Sequence, residues 1–241
     1  MQPIFASSNI KLLLSLTKRE FKTRYLGSIL GSYWNIIHPL VMISIYTLIF
    51  SKIMKAKLGV SAGPFSYSLY LCSGLLAWNY FQESISRGTN SLLDNAMFIK
   101  KMPFPPIIVF GASLLSSAIN FLIAITIFGV FLTFIQPISI GLFFTFWLVI
   151  IILSIFSFGI SIAFGCLNVF FKDIQQLISV LFQLWFWFTP IVYLEELLPD
   201  QAKWLLHFNP AWAFIESLHK LLYFQTYPEA KFWLLMLDGA H

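Results

Sequence analysis

The side chains that could do chemistry are few, and most of them are basic residues in two short segments. The first is a cluster near the N-terminus, formed by Lys18, Arg19, Lys22 and Arg24. The second follows residue 83 and holds Arg87, Asp94, Lys100 and Lys101. Guanidinium and ammonium groups bind phosphate oxygens through charge-assisted hydrogen bonds. The first cluster could therefore bind phosphate groups, among them the headgroups of anionic lipids.

The sequence contains none of the motifs expected for catalysis by this chain alone. It has no phosphate-binding loop of the G-x-x-x-x-G-K-[ST] type, no H-E-x-x-H and no G-x-S-x-G. No histidine has the spacing of a metal ligand, and Cys72 and Cys166 lie in apolar runs where they are expected to pack. We therefore predict no catalytic residue, no bound cofactor and no metal. No acid lies deep in an apolar run, which disfavours ion-coupled transport.

The elements around these segments are free of charge over unusual lengths. Runs without Asp, Glu, Lys or Arg cover 25–51, 58–82, 102–171 and 174–194. Only 10% of the residues are charged and 59% are hydrophobic, whereas soluble domains are about 25% charged. Because a charge at mid-bilayer costs roughly 2.5–3.5 kcal/mol, this pattern predicts an all-α integral membrane protein, a polytopic helical bundle in one domain, 1–241.

Five membrane spans are predicted from the lengths of these runs, since about 20 apolar residues cross the hydrocarbon core. A polar loop is expected from Gln82 to Pro106, and short re-entrant or interfacial helices on the outer side over 195–230, near 201–208 and 211–224. A sixth span is expected to be truncated or missing from this chain. The predicted spans are about 29–51, 64–82, 106–134, 139–167 and 174–194.

Residues 7–25 are predicted to form an amphipathic helix in the membrane interface. On a helix, Lys11, Ser15, Lys18 and Lys22 share one face, and Ile10, Leu13, Leu14, Phe21 and Tyr25 share the other. The alternative is a basic flank that merely orients the first span.

With the N-terminus in the cytosol, nine Lys and Arg residues fall inside and five outside, which favours that orientation. The cluster of Lys52, Lys55 and Lys57 on the outer side is the main objection.

Four pieces of the chain, in order, resemble ABC transporter permeases that export polysaccharides such as O-antigen, capsule or teichoic acid. The first is Leu16–Tyr25 (LTKREFKTRY) with Leu30-Gly31, Trp34 and Pro39-Leu40. The others are 95–105 (NAMFIKKMPFP), 169–173 (VFFKD), and 189–193 (TPIVY) followed by Asn209-Pro210. Each piece alone is weakly specific, but together they cover nearly the whole chain.

This resemblance implies a homodimer of six-span subunits in the bacterial cytoplasmic (inner) membrane. Two separate ATP-binding cassette subunits would bind ATP and Mg²⁺ on the cytosolic side, so this chain is expected to be a transport subunit and no enzyme. The helix 10–25 would gate the cytosolic mouth. The loop 84–99 would dock into the ATPase, with Arg87, Asp94, Lys100 and Lys101 as coupling residues. No nucleic-acid partner is expected.

A lipid-linked glycan is the substrate that the resemblance implies, and aromatic side chains would stack on its sugar rings. The candidates for a glycan channel are Tyr33, Trp34, Tyr46, Trp185, Trp187, Phe188 and Tyr193. The alternative for each is a lipid-facing or packing role. Likewise, Lys18, Arg19, Lys22 and Arg24 could contact either the pyrophosphate of the cargo or anionic membrane lipids.

Other functions remain open at this stage. Within the same class, the chain could be an ABC permease for a drug or a small lipid. From other classes, it could be a membrane-embedded transferase, which would need clustered His, Asp or Glu, or a non-catalytic scaffold or channel subunit. Copurification of an ATPase would separate these from an exporter.

Overall fold

The structure, a computed structural model, describes residues 7–24, 30–53, 66–101, 104–135, 137, 139–195, 198–199, 203–204, 206 and 208–238. Within these ranges every regular element is helical, which confirms the all-α class. A 3₁₀ turn at Gly31–Tyr33 precedes the second helix. The α-helices are α1 (Ser7–Thr23), α2 (Trp34–Ile53), α3 (Ser66–Asp94), α4 (Ala96–Lys101), α5 (Ile107–Thr133), α6 (Ile140–Phe170), α7 (Ile174–Phe188), α8 (Pro210–Leu222) and α9 (Ala230–Asp238).

Helices α5 and α6 are both long and apolar enough to cross a membrane. At 1.5 Å per residue their 27 and 31 residues extend about 40 and 46 Å, which exceeds a hydrocarbon core of about 30 Å. Large apolar side chains such as Phe144, Ile151 and Ile155 are exposed along α6, as expected for a helix surface in contact with lipid. Helices α5 and α6 coincide with the spans predicted over 106–134 and 139–167, and α6 continues to Phe170.

Helix α3 is the centre of the fold, because it packs against α2, α5, α6, α7 and α8. Its buried aromatic side chains include Tyr70, Trp78 and Phe81. Close approach to α6 depends on Gly88, where an added Cβ would come within 2.4 Å of the Ser161 side chain. The helices that position the candidate site therefore all pack against α3.

The polar loop predicted from Gln82 to Pro106 was wrong over most of its length. Helix α3 continues to Asp94, and α4 follows immediately. Polar side chains satisfy one another along the helix: Thr89 donates to the carbonyl of Ile85 at 2.8 Å, and Arg87 Nε lies 3.0 Å from Glu83 one turn earlier. The prediction treated the loss of hydropathy as the end of a helix, although the next proline in the sequence is Pro103.

Other boundaries differ by smaller amounts. Helix α7 ends at Phe188, whereas the span was predicted to 194, because Pro190 cannot continue the helix. Helix α8 confirms the short helix predicted over 211–224. Half of the piece predicted over 201–208 lies outside the described residues, as do Tyr25 and much of 52–65. The number of spans and a sixth span stay predictions.

Candidate functional site

Helix α1 divides into three faces. Leu16 packs against Ile108, Val109 and Ala112 of α5 in a small apolar cluster that is separate from the main core. Ile10 and Leu14 on a second face are 47% and 59% exposed. Lys11, Ser15, Lys18 and Lys22 on the third face are also exposed. Of the predicted apolar face, Leu13 packs against the Leu16 cluster, whereas Ile10 and Leu14 are available to lipid.

Three polar contacts hold the second half of α1, and we refer to them as the α1 clamp. Arg19 donates to Asn95 Oδ1 between α3 and α4, and its guanidinium lies 4.3 Å from the centre of the Phe98 ring. Glu20 accepts a hydrogen bond from Ser113 of α5 at 3.0 Å. Arg24 donates to Glu83 of α3. The clamp therefore ties α1 to α3, α4 and α5 at once.

Glu83 is the hub of the clamp. One of its carboxylate oxygens accepts from Arg24, from Arg87 Nε at 3.0 Å and from Asn120 Nδ2 at 2.9 Å. The three donors come from the segment after α1, from α3 and from α5. The Glu83 side chain is 30% exposed, so solvent partly screens its ion pairs. These pairs therefore contribute more to the relative position of the helices than to the free energy of folding.

Glu20 occupies a less favourable environment on the same helix. Burial raises the pKa of its carboxyl above the ordinary value, and the hydrogen bond from Ser113 acts in the opposite direction. A half-buried acid with one hydrogen-bond donor among the described residues is a weak point in the attachment of α1. This property distinguishes Glu20 from Glu83, which has three donors.

The predicted coupling residues separate into two groups. Asp94, Lys100 and Lys101 are exposed around α4, next to Met97 and Phe98, which are also exposed. Arg87 is instead half-buried and paired with Glu83. Helix α4 thus presents a short apolar and basic surface whose inner end is fixed to α1 through Asn95 and Phe98.

The predicted glycan-channel residues lie in two regions on different flanks of α3. Tyr33 and Trp34 are exposed at the start of α2, which packs on α3 and α5, whereas the side chain of Tyr46 is not described. Trp187 and Phe188 are exposed at the end of α7, which packs on α3 and α6. The Tyr193 hydroxyl donates to the Trp187 carbonyl at 2.9 Å.

Trp185 belongs to a second polar cluster, which we name the α8 anchor. Asn209 caps α8 by accepting from the backbone of Ala211 and Trp212. The same amide accepts from Trp185 Nε1 at 2.6 Å and donates to Thr189 Oγ1 at 2.9 Å. Trp185 also packs edge-on against Trp78 and Phe81 of α3. These contacts give Trp185 a packing role within the subunit.

A buried histidine and a partly buried acid on α8 complete the anchor. His219 is fully buried, and its ring stacks on Tyr70 with centroids 3.8 Å apart. Gly74 of α3 makes room for it, because an added Cβ would lie 2.5 Å from His219 Nε2. His219 Nδ1 is 3.8 Å from Glu216. In the described part of the chain, no group of three His, Cys, Asp or Glu side chains could hold a metal.

Sequence reasoning missed the role of Glu83 and a cavity beside it. A cavity of about 620 Å³ lies among α2, α3 and α5, and Arg24, Glu83 and Asn120 contribute to its wall. The spacing of Asn79, Gln82, Glu83 and Ser86 places them on one face of α3. That polar stripe on an otherwise apolar helix was the available signal, and it was interpreted as the end of a span.

Comparison with known proteins gives the class to which this fold and site belong. The model of the ABC-2 type transporter family matches residues 11–223. Because that match covers most of the chain, the protein belongs to the ABC-2 type transporter family, whose members are membrane permease subunits. The family implies a transport role together with an ATP-binding partner subunit.

Individual relatives give a narrower comparison. The chain is similar to two O-antigen export system permease proteins RfbA from Klebsiella pneumoniae, with 32% identity over 212 residues, covering 87% of this chain and 79% of each relative. It is 26% identical over 231 residues to an O-antigen export system permease protein RfbA from Myxococcus xanthus, covering 91% and 83% of the two chains. The sequence-based assignment to the permease family is thereby confirmed.

Proposed function

We propose that this chain is the membrane subunit of an ATP-driven exporter that moves a polysaccharide, carried on a lipid, across the bacterial cytoplasmic membrane. It works as a homodimer with two ATP-binding cassette subunits, which bind ATP and Mg²⁺. Its N-terminus is cytosolic, so α1 and α4 face the ATP-binding subunits. The export systems named for its relatives support the cargo class, and the family supports the partner.

The α1 clamp is the observation that carries the mechanism. Helix α4 is short, exposed and basic at its end, which suits it to dock on another subunit. Asn95 immediately precedes α4 and Phe98 lies within it, and both contact Arg19 of α1. A push on α4 by the ATP-binding subunit therefore reaches α1 through two side chains. Movement of α1 would then open the path for cargo between the two protomers.

The aromatic side chains at the starts and ends of helices suit a carbohydrate cargo. Tyr33, Trp34, Trp187 and Phe188 are all exposed in the isolated chain. Aromatic faces pack on the apolar C–H faces of sugar rings without binding any charged group tightly, so a polymer can slide. Exposed aromatic residues on the flanks of α3 would line such a path after two chains associate.

Deletion of the gene in its source cell tests the proposed cargo. We expect lipid-linked polymer to accumulate inside the cell and surface polymer to fall, with both restored by the wild-type gene. A permease for a drug or a small lipid would leave the glycan pools unchanged and alter resistance or lipid composition. Normal surface polymer in the deletion strain would contradict the proposed function.

A further inference from the structure

The cavity among α2, α3 and α5 is built from one face of each helix. Helix α3 contributes Asn79, Gln82 and Glu83, which lie one turn apart. Helix α2 contributes Trp34 and Asn35, and α5 contributes Asn120. A volume of about 620 Å³ lies within the range of pockets that bind small molecules, roughly 300–1,000 Å³. Such a cavity has room for a short oligosaccharide segment.

The wall of this cavity has unused hydrogen-bonding capacity. The side-chain amides of Asn79 and Gln82 line it and make no hydrogen bond to the described residues. Each amide has two donors and one acceptor. Asn79 is exposed and Gln82 is half-buried, so both amides are free to hydrogen-bond to a polar ligand in the cavity. Hydroxyl groups, which both donate and accept, match them.

The apolar part of the wall is aromatic. Trp34 is exposed at the cavity, and Phe121 lies against Tyr80 with ring centroids 4.9 Å apart. A ligand here thus meets aromatic surface on one side and amides on another. A sugar ring has an apolar C–H face, which can pack on the aromatic side of the cavity, and a rim of hydroxyl groups, which can hydrogen-bond to the amides.

The charge of the cavity argues against an anionic ligand. The guanidinium group at the wall, that of Arg24, is paired with Glu83, which also accepts from Arg87 and Asn120, and His38 is the other basic side chain of the wall. A phosphate would meet the Glu83 carboxylate and would have to compete with it for the guanidinium groups. An uncharged ligand leaves these pairs intact.

We infer that this cavity is a binding site for an uncharged sugar residue of the transported glycan, in which Asn79 and Gln82 bind its hydroxyls. The inference rests on the proposed function. It adds a position within one protomer, next to Glu83 of the α1 clamp, where the cargo would bind.

Saturation-transfer NMR on the full complex with its ATP-binding subunit tests the site. The probe is the oligosaccharide released by mild acid from the glycan of the source cell, and inorganic pyrophosphate is added as a competitor. We expect the oligosaccharide to bind, and its affinity to fall about tenfold in Asn79→Leu and in Gln82→Leu, since each loses the hydrogen bonds of one amide. Asn79→Gln keeps an amide and should retain most of the affinity.

Thr145→Leu is the matched control, because Thr145 is a half-buried polar residue in the second turn of α6, a helix that contributes no residue to the cavity wall, and it should bind the probe like the wild type. Two variants on one face keep the test decisive if one of them fails to assemble with the ATP-binding subunit. Equal binding by wild type and both Leu variants, or competition by pyrophosphate, would overturn the site and leave the proposed function standing. Normal surface polymer in the deletion strain would defeat the proposed function itself.

Discussion

The α1 clamp and the α8 anchor both contain an asparagine side chain and aromatic contacts, but they differ in how deeply they are buried. Asn209 and its partners lie within the main hydrophobic core, next to Trp212 and Phe214, which are fully buried. The clamp is backed only by the small cluster around Leu16 and Ala112 among the described residues. The first arrangement fixes a helix permanently, whereas the second holds a helix through a few contacts that can be broken.

The difference matters because burial of apolar surface is the dominant stabilising contribution in a packed core. Helix α8 cannot leave its site without exposing several large aromatic side chains. Helix α1 can shift while losing one small apolar cluster and three polar contacts. Elements that move during function are typically held by few buried contacts, as α1 is. We therefore assign rigidity to the α8 anchor and movement to the α1 clamp.

The largest expected effect concerns the anchor. Trp212→Ala removes a side chain that is 1% exposed and packs against Phe232. Such a cavity typically costs about 3–5 kcal/mol, so we expect a large fall in thermal stability and in the yield of assembled complex. Trp204→Ala, at an exposed tryptophan, is the control and should change stability little. If both substitutions lowered thermal stability by a similar amount, the anchor would be no more important for stability than an exposed surface residue.

Glu83→Gln should produce the next largest effect, and it should act on transport. The substitution keeps the shape of the side chain but removes the charge that pairs with Arg24 and Arg87. Since hydrogen bonds to charged groups are worth roughly 1.5–3 kcal/mol and are partly screened here, we expect export to fall about tenfold while the complex still assembles. Surface polymer and copurified ATP-binding subunit are the measurements.

Glu229→Gln supplies the control for Glu83→Gln, because Glu229 is an exposed acid that also pairs with two cations, Lys220 and Lys231. It should leave export unchanged. If Glu83→Gln exports normally, or if it simply fails to fold, the clamp is either unnecessary or as structural as the anchor.

Arg19→Ala should have a smaller effect than Glu83→Gln. It removes the bond to Asn95 and the contact with Phe98 but leaves the other two parts of the clamp. We expect export to fall about three- to tenfold, in line with the loss of one charged hydrogen bond. The neighbouring Lys18 is exposed, and Lys18→Ala should stay near the wild-type level. Equal effects at the two positions would indicate a general role of basic charge and no specific clamp.

The smallest expected effect concerns docking of α4. Lys101→Glu reverses an exposed charge at the end of α4, and exposed ion pairs contribute about 0–1 kcal/mol each. We expect up to about fivefold weaker retention of the ATP-binding subunit, with a stronger effect at low salt. Lys172→Glu makes the same change at an exposed lysine between α6 and α7 and should retain the partner. Unchanged retention in Lys101→Glu would remove α4 from the docking surface.

The sequence predicted the elements much better than their polar contacts. Charge-free runs identified α5 and α6 within a few residues, because membrane helices are defined by apolar length. Asn209-Pro210 marked the start of α8, since an Asn cap before a proline is a local signal. The extension of α3 past Gln82 was missed because hydropathy says nothing about whether a polar segment is helical.

The candidate site was harder to predict for a different reason. Glu83 lies 59 residues from Arg24 and 37 from Asn120 in the sequence, and nothing local in the chain links them. Arg87 was predicted to couple to the ATPase, but its i,i+4 spacing from Glu83 already indicated an internal pair. Contacts between side chains on different helices depend on how the helices pack, and helix packing cannot be derived from the local pattern of a single sequence.

The claim that α1 and α4 move together can be tested directly by pulsed electron–electron double resonance on the complex, which measures distances between spin labels. Cysteine-free protomers carry spin labels at Lys18 and Lys100, exposed on α1 and α4, or at Lys18 and Tyr227, exposed after α8. Labelled protomers are diluted with unlabelled ones. On ATP binding, we predict an unchanged distance for the first pair and a changed distance for the second. A changed distance between Lys18 and Lys100, with Lys18 and Tyr227 fixed, would contradict the account.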